Sequence, residues 1–435
     1  MVRAEDLLVR RLGPCEFPSP IGKTGSVKHG VGVDDRLLYD DRLSSLGEQV
    51  DRDGPLPSFE VAGAHEKIYF DPAKTRAGIV TCGGLCPGLN DVIRGLVMVL
   101  HHRYGVRAIE GYRYGYEGLN PAFGHEPMVL TPDLVESIHK DGGTILGSSR
   151  GQQPDDVMVK FLKERGVNIL FTIGGDGTQR GALDLSTEAR KQGMDLAVVG
   201  LPKTIDNDVR YVEQSFGFQT AFTRAHYAIE TAHNEARASR KGVGLVKLMG
   251  RHSGFIAAYA TLASNDVNYC LIPEVDVSLE GEGGFVEHLD KRLERRGHAV
   301  VVVAEGFGQS YVEAEGTDKS GNKKLGDIGP WMKDLISSKI PDASIKYVDP
   351  SYLIRGLPAT PHDSVLCFRL AAYAVHAAMA GLTDMLVGKW HGRFLNVPIP
   401  AVSRQRQCVD PAGELWFSVL EATGQPRAWG APQPV

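Results

Sequence analysis

The chain has 435 residues, of which 42 % are apolar and 23 % charged, a soluble globular composition with length for two or three domains. Its net charge of −5 lacks the basic surplus of a general nucleic-acid binder, and no apolar run approaches the roughly 18 residues that span a membrane. The cysteines Cys15, Cys82, Cys86, Cys270, Cys367 and Cys408 are sparse and scattered, which argues against a disulfide framework and fits a reducing, cytoplasmic compartment.

Residues 1–74 read as an N-terminal extension. They carry Pro14, Pro18, Pro20, Pro55 and Pro57, many charges and no long periodic segment. They form an arm packed on the body or on a second subunit, or stay disordered. The start of the chain is basic (Arg3, Arg10, Arg11) but has no apolar core, unlike a secretory signal. From Thr75 the pattern changes. Residues 76–82 read as a buried strand and 83–89 as a glycine-rich turn, and Asn90 or Asp91 caps a helix through Val92, Leu96, Val99 and Leu100. Cys82 and Cys86 lie close together, but no second pair supports a zinc site.

The same unit recurs. Residues 167–173 form a strand, 174–178 a turn, and a helix runs to about Gly193. Residues 196–200 form a strand and 201–209 a loop. Phe218, Phe222, Ala225, Ile229, Ala232 and Ala236 fall on one helix face. Strands follow at 243–247, 267–272 and 299–304, then a long polar loop at 306–326. The helix at 364–379 is apolar on nearly every side and is expected to be buried. Strand, glycine turn and helix in repeated order predict an α/β fold of two doubly wound, largely parallel-sheet domains. The expected divisions are an extension at 1–74, a nucleotide-binding domain at 75–212, a sugar-phosphate domain at 213–400 and a C-terminal segment at 401–435. Ligands in such folds sit at the carboxyl ends of strands, and every motif below follows a strand.

Gly83-Gly84-Leu85-Cys86-Pro87-Gly88 is a turn whose backbone can approach a phosphate. Gly174-Gly175-Asp176-Gly177-Thr178 adds a carboxylate suited to Mg²⁺ carried by a nucleotide, since that ion takes one or two carboxylates and completes its shell with phosphate and water. The competing reading of Asp176 is a helix cap. In Thr204-Ile205-Asp206-Asn207-Asp208, an extended backbone puts Thr204, Asp206 and Asp208 on one side. Crowded carboxylates are tolerated where a base or a metal partner is needed. Arg150, Arg251 and Arg355 each close a strand-end string, and guanidinium groups suit bidentate phosphate recognition.

These strings resemble the 6-phosphofructokinase family over residues 75–393. The matching stretches run from Gly83 to Asn90, from Gly174 to Thr178 and from Pro202 to Asp208, with Met249-Gly250-Arg251-His252-Ser253-Gly254, Ala304-Glu305-Gly306 and Tyr352-Leu353-Ile354-Arg355. The resemblance implies two α/β domains with the active site between them, and phosphoryl transfer to the 1-hydroxyl of fructose 6-phosphate. By the same resemblance Asp206 is the base, Asp176 holds Mg²⁺, Thr204 bonds the transferring group, and Arg251 offsets transition-state charge. Ile205, Met249 and Gly250 join Arg251 along the sugar phosphate, Glu305 binds sugar hydroxyls, Tyr352 and Arg355 hold the 6-phosphate, and Leu353 and Ile354 are counted with them as substrate-binding. Gly83, Arg150, Gly151, Gly175, Gly177 and Thr178 surround the donor. The short bacterial members have histidine where this chain has Tyr352. Their subunit-bridging arginines are expected near Arg240 and Lys241, between which the sequence does not choose. Members of this family assemble as dimers or tetramers, so a homodimer or homotetramer is expected.

The donor rests on two positions. Diphosphate users in the family share aspartate at 177 and lysine at 203, whereas short ATP users have glycine at both. This chain has Gly177 and Lys203. An aspartate at 177 would crowd and repel an α-phosphate, so glycine favours ATP. The same mixture marks a longer, plant-like and trypanosome-like ATP-dependent group, which the flanks of Met249 and Tyr352 also resemble. A diphosphate-dependent enzyme is the alternative. Lipid and NAD kinases share the Gly-Gly-Asp-Gly-Thr string but lack the Asp206 and Arg251 strings. A regulatory, inactive subunit is a third reading, and it would have lost Asp176 or Asp206.

Overall fold

The computed structural model describes residues 2–23, 30–32, 34–50, 54–312, 316–317 and 324–430. The chain divides into two compact units. One comprises residues 1–204, 209–217 and 357–406, and the other 205–208, 218–356 and 407–435.

In chain order the first unit holds β1 (Arg36–Leu38), β2 (Ser58–Val61), β3 (Arg76–Thr81), α1 (Leu89–Val99), β4 (Ala108–Tyr112), β5 (Met128–Val129), α2 (Asp155–Glu164), β6 (Ile169–Gly174), α3 (Asp176–Lys191) and β7 (Ala197–Pro202). The second holds α4 (Phe218–Arg237), β8 (Gly242–Leu248), α5 (Phe255–Ser264), β9 (Tyr269–Leu271), α6 (Phe285–Arg296), β10 (His298–Ala304), α7 (Ile328–Lys339) and β11 (Ser344–Val348). The chain then returns to the first unit with α8 (Pro361–Met379), β12 (Met385–Trp390) and β13 (Arg393–Pro398).

The first unit is built on a nine-stranded sheet of order β1-β2-β13-β12-β7-β6-β3-β4-β5. Its centre is parallel: Ala77, Ile169 and Ala197 lie in one row, and Thr81, Ile173 and Leu201 in another. That register brings the three carboxyl-end loops out side by side. The β6 and β7 side chains are buried along their whole length, which is why those segments read as unbroken apolar runs. On one face Val80, Leu170 and Val198 pack with Met158, Leu162, Ala182 and Leu185 of α2 and α3. The second unit holds a wholly parallel four-stranded sheet of order β9-β10-β8-β11. Leu248 pairs with Ala304 and Val246 with Val348, so the loops after β8, β10 and β11 also emerge together. Its core joins Val243, Leu245, Val301 and Val303 to Phe285, Leu289, Met332 and Ile336.

Several expectations change. Residues 1–74 pack on the body and add strands to it: β2 pairs antiparallel with β13 and β1 antiparallel with β2, extending the large sheet, and both oxygens of Glu60 accept from Arg11 at 2.8 Å. Residues 24–29, 33 and 51–53 of that segment lie outside the described residues, as do 313–315 and 318–323 of the expected loop at 306–326. Helix α1 is capped by Gly88, not by Asn90 or Asp91. Asn90 instead accepts from the Ile145 amide and donates to the Asp141 carbonyl. Helix α8 is not buried all round, because Val365 and Phe368 are exposed on its first turns. The segment 357–406 clusters with residues 1–204, since β12 pairs parallel with β7 and β13 lies between β12 and β2.

Candidate active site

In the first unit, four short strings gather at the carboxyl ends of β3, β6 and β7. Gly83 follows β3 in a left-handed turn (φ 85°), its amide donates to the Ser149 carbonyl (2.8 Å), and Ser148 Oγ donates back to the Gly83 carbonyl (2.6 Å). Arg150 and Gly151 therefore start beside the Gly83 turn, both exposed. The Lys203 amide donates to the Gly174 carbonyl (3.0 Å), and its buried ammonium donates to the Gly84 carbonyl (2.6 Å). Lys203 thus ties the β3 and β6 loops through backbone.

Gly175 is the cap of α3 and Asp176 its first residue, with no side-chain cap bond. The cap reading of Asp176 therefore fails. Its carboxylate pairs with Arg180 Nη1 (3.2 Å) and Arg406 Nε (3.7 Å). The first amides of a helix have no intrahelical acceptor and favour an anion. Gly177 sits in that turn, and a Cβ there would meet nothing within 4 Å. The backbone does not demand glycine, so the open space is itself the feature. Thr178 turns inward: its side chain lies against Gly174, and its carbonyl accepts from Tyr116 OH (2.7 Å). Among the described residues no cluster of three or more His, Cys, Asp or Glu could cage a metal. One carboxylate on the first turn of a helix is the donor set that would suit an Mg²⁺ arriving on a nucleotide, whose phosphate and water would complete its shell.

The loop after β7 leaves the first unit at Thr204, whose carbonyl accepts from Ser215 Oγ (2.6 Å). Ile205 and Asn207 are buried, while Thr204, Asp206 and Asp208 are half-buried. The alternation is as expected, although Asn207 is left-handed (φ 54°) and the loop is not a plain extended strand.

In the second unit, buried Ser253 donates through Oγ to the Asp206 carbonyl (3.0 Å), which pins that loop to the Met249-Gly250-Arg251 string. Gly250 is required there: φ is 133°, and a Cβ would stand 2.5 Å from the Ser253 carbonyl oxygen. The Glu305 amide donates to the Leu248 carbonyl (2.8 Å) and the Gly306 amide to Gly250 (3.1 Å). Burial pushes the Glu305 carboxyl up, opposed by Lys247, the Gly250 amide, Arg251 and Arg355. Tyr352 and Leu353 are exposed, and the Arg355 guanidinium lies over the Tyr352 ring at 4.7 Å. Ile354 is buried and anchors the turn. Lys241 pairs with Asp290, Glu294 and Asp342 of its own unit.

Two supporting residues escaped the sequence reading. Buried Gln179 donates to the carbonyls of Thr172 (3.3 Å), Gly174 (3.1 Å) and Leu201 (3.3 Å), stapling β6 to β7 under the site. Buried Glu274 accepts from the Gly254 amide (2.9 Å) and the Val409 amide (2.8 Å). Glycine inside β7 was a signal for the first, since a Cβ on Gly200 would strike Gln179 at 2.1 Å.

With this geometry in hand, comparison with known proteins gives a consistent result. The family model described as Phosphofructokinase matches residues 76–378. The ATP-dependent 6-phosphofructokinase of Amycolatopsis methanolica is 51 % identical over 443 residues, covering 98 % of this chain and 96 % of that one. The ATP-dependent 6-phosphofructokinase of Trypanosoma brucei brucei is 44 % identical, covering 97 % of this chain and 88 % of its own. Among solved structures, a pyrophosphate-dependent phosphofructokinase from Marinobacter aquaeolei matches with a TM-score of 0.68 at 19 % identity, covering 82 % of this chain and 94 % of that one. That last likeness speaks to fold alone.

Proposed function

The chain belongs to the phosphofructokinase family, and on that premise we propose that it transfers the γ-phosphoryl group of ATP to the 1-hydroxyl of fructose 6-phosphate, giving fructose 1,6-bisphosphate and ADP. The observation that carries the choice of donor is Gly177. It leaves open space in the first turn of α3 where a nucleotide's phosphates need room, and the relatives that cover nearly the whole chain are ATP-dependent by name. Lys203, the position shared with diphosphate users, has its ammonium on the Gly84 carbonyl.

In this reading the 1-hydroxyl oxygen attacks the γ-phosphorus, the bond to the β,γ-bridging oxygen breaks, and the hydroxyl proton passes to the Asp206 carboxylate. Mg²⁺, when bound, neutralises the phosphate oxygens; Asp176 would hold it. Arg251 and Thr204 meet the transferring group, Glu305 accepts from sugar hydroxyls, and Arg355, backed by the Tyr352 ring, holds the 6-phosphate. The α3 amides and the Gly83 and Arg150 turns receive the donor. Positioning and electrostatics supply most of the rate in phosphoryl transfer, and general-base help adds about 10² to 10⁴. We also place the enzyme in the cytoplasm as a homodimer or homotetramer; no described helix is long and apolar enough to cross a membrane.

The test is initial-rate measurement with fructose 6-phosphate varied, against ATP and against diphosphate. Turnover with ATP is expected. Activity with diphosphate and none with ATP would overturn the donor.

A further inference from the structure

Lys247 is a charged residue on a parallel strand between two others, and the reaction just described gives it no task. It stands opposite Val303 in β10, one residue beyond the Val246–Val348 pair with β11. Its side chain is only 11 % exposed, and Nζ donates to Asp327 Oδ1 (2.9 Å) and Asp349 Oδ2 (2.7 Å). The Asp327 side chain is 56 % exposed and that of Asp349 30 %, but each belongs to a loop that other bonds tie to the acceptor side. Asp349 opens the turn that carries Tyr352 and Arg355, and its other oxygen accepts from the Ser351 amide (3.0 Å) and from Ser351 Oγ. Within that turn the Leu353 amide returns to the Pro350 carbonyl (2.7 Å). Asp327 precedes α7, and its neighbour Gly326 is held by Gln309, whose Nε2 also donates to the Glu305 carbonyl (2.7 Å).

We propose that Lys247 is a positioning residue for fructose 6-phosphate: its ammonium clips the Tyr352–Arg355 turn and the Gly326–Asp327 corner to the strand that delivers Met249, Gly250 and Arg251. The proposal rests on the assignment of that turn and of Glu305 to the sugar phosphate. One ammonium joins three separate pieces of acceptor site. Arg355 cannot keep its aim if the turn swings, because Tyr352 and Leu353 are exposed and only Ile354 packs inward. Burial raises the Glu305 carboxyl, and Lys247 is the foremost of the cations that oppose that rise, ahead of Arg251 and Arg355. A merely structural ion pair would act differently. Replacing a buried pair with apolar bulk changes stability without distinguishing one substrate from the other.

The experiment compares Lys247→Met and Lys247→Arg with the wild type in steady-state kinetics, each substrate varied in turn and across pH. Lys247→Met is expected to raise KM for fructose 6-phosphate roughly tenfold while KM for ATP moves less than about twofold. The acid limb of kcat/KM for fructose 6-phosphate should shift to higher pH, because Glu305 loses an opposing cation and takes its proton sooner. Lys247→Arg should restore both. An unmoved KM, an equal rise for both substrates, a fixed acid limb, or an arginine variant no better than methionine would each overturn the proposal. Should Lys247→Met fail to fold, Asp349→Asn keeps the link to Asp327 and must raise the same KM; no rise refutes the clip. A wild type inactive on fructose 6-phosphate sinks the activity and this role together, whereas an active wild type with unmoved variants sinks this role alone.

Discussion

Gly177→Asp separates the role of a glycine in folding from its role in binding. The structural cost of the change is small. Gly177 lies in the first turn of α3, its φ is not positive, and a Cβ meets nothing within 4 Å. Aspartate is a slightly better helix former than glycine, by a few tenths of a kcal/mol, and a carboxylate at a helix N-terminus gains about 0.3–1 kcal/mol. The thermal midpoint should therefore stay within about 2 °C of wild type or rise. The functional cost is large. If the proposed donor places a phosphate about 5 Å from the new negative charge, the repulsion costs about 3 kcal/mol at an effective dielectric of about 20, which lowers kcat/KM for ATP roughly 10²-fold. Arg180 already pairs with Asp176 (3.2 Å), so it offsets only part of this. Gly177→Asn carries the same bulk without charge and should stay within about fivefold of wild type. The assay is initial rate against ATP at saturating fructose 6-phosphate, with thermal unfolding of each variant. An aspartate variant as active as the asparagine one would refute the electrostatic argument, and a midpoint lowered by many degrees would refute the open geometry.

Asp206→Asn should cut kcat by about 10² to 10⁴ and leave KM for fructose 6-phosphate nearly unchanged, because Ser253 grips the Asp206 carbonyl and not its side chain; near-normal kcat would remove Asp206 from the base role. Gly250→Ala should lower stability by about 2 kcal/mol or more, since φ is 133° and the methyl would sit 2.5 Å from the Ser253 carbonyl oxygen; denaturant unfolding reads this directly. Glu110 gives a pH test remote from chemistry. Burial pushes its carboxyl up, but bonds from Arg165 (2.9 Å) and Tyr112 (2.9 Å) and the charges of Arg165 and Arg76 win, so its net shift is downward. A lowered folded pKa means that its stabilisation is present above the unfolded value near 4.3 and is lost as pH falls through the folded one. Glu110→Gln should thus lose midpoint relative to wild type at neutral pH, and the gap should close in acid; a gap independent of pH would contradict the sign.

Parallel strands were legible because both faces of β6, β7 and β10 are covered, which forces continuous runs such as Val300 to Val303. The strings that follow them were legible for a related reason. A residue at the carboxyl end of a buried strand is fixed by that strand, so Asp176, Met249 and Glu305 emerge where sequence order alone puts them. The ends of the large sheet were not legible. β1 and β2 are three and four residues long, and although they pair with each other, β2 joins the sheet only through β13, more than three hundred residues away. No local period records such a partner. Helix α8 misled for the opposite reason. Its composition is apolar nearly all round, yet burial is decided by what packs on each face, and Val365 and Phe368 face outward.

The supporting shell of the site was hidden for a more general reason, and it decides how far a motif can be trusted. Asp176, Asp206 and Arg251 belong to strings short enough to be recognised, but what aims them does not. Gln179 reaches three carbonyls on two strands, Ser253 reaches across sequence to Asp206, and Lys247 joins loops about 80 and 100 residues further along. Each acts on backbone or on a distant carboxylate, so its chemistry depends on topology and leaves no fixed spacing. Glycine is the partial exception. Where a side chain or another stretch of backbone must approach closely, the chain has to omit a Cβ, and Gly200 over the Gln179 side chain and Gly250 over the Ser253 carbonyl are the marks of that requirement. Gly177 is the contrasting case: a Cβ there would meet nothing within 4 Å, so the fold does not require its glycine, and the proposed donor site is what Gly177→Asp tests.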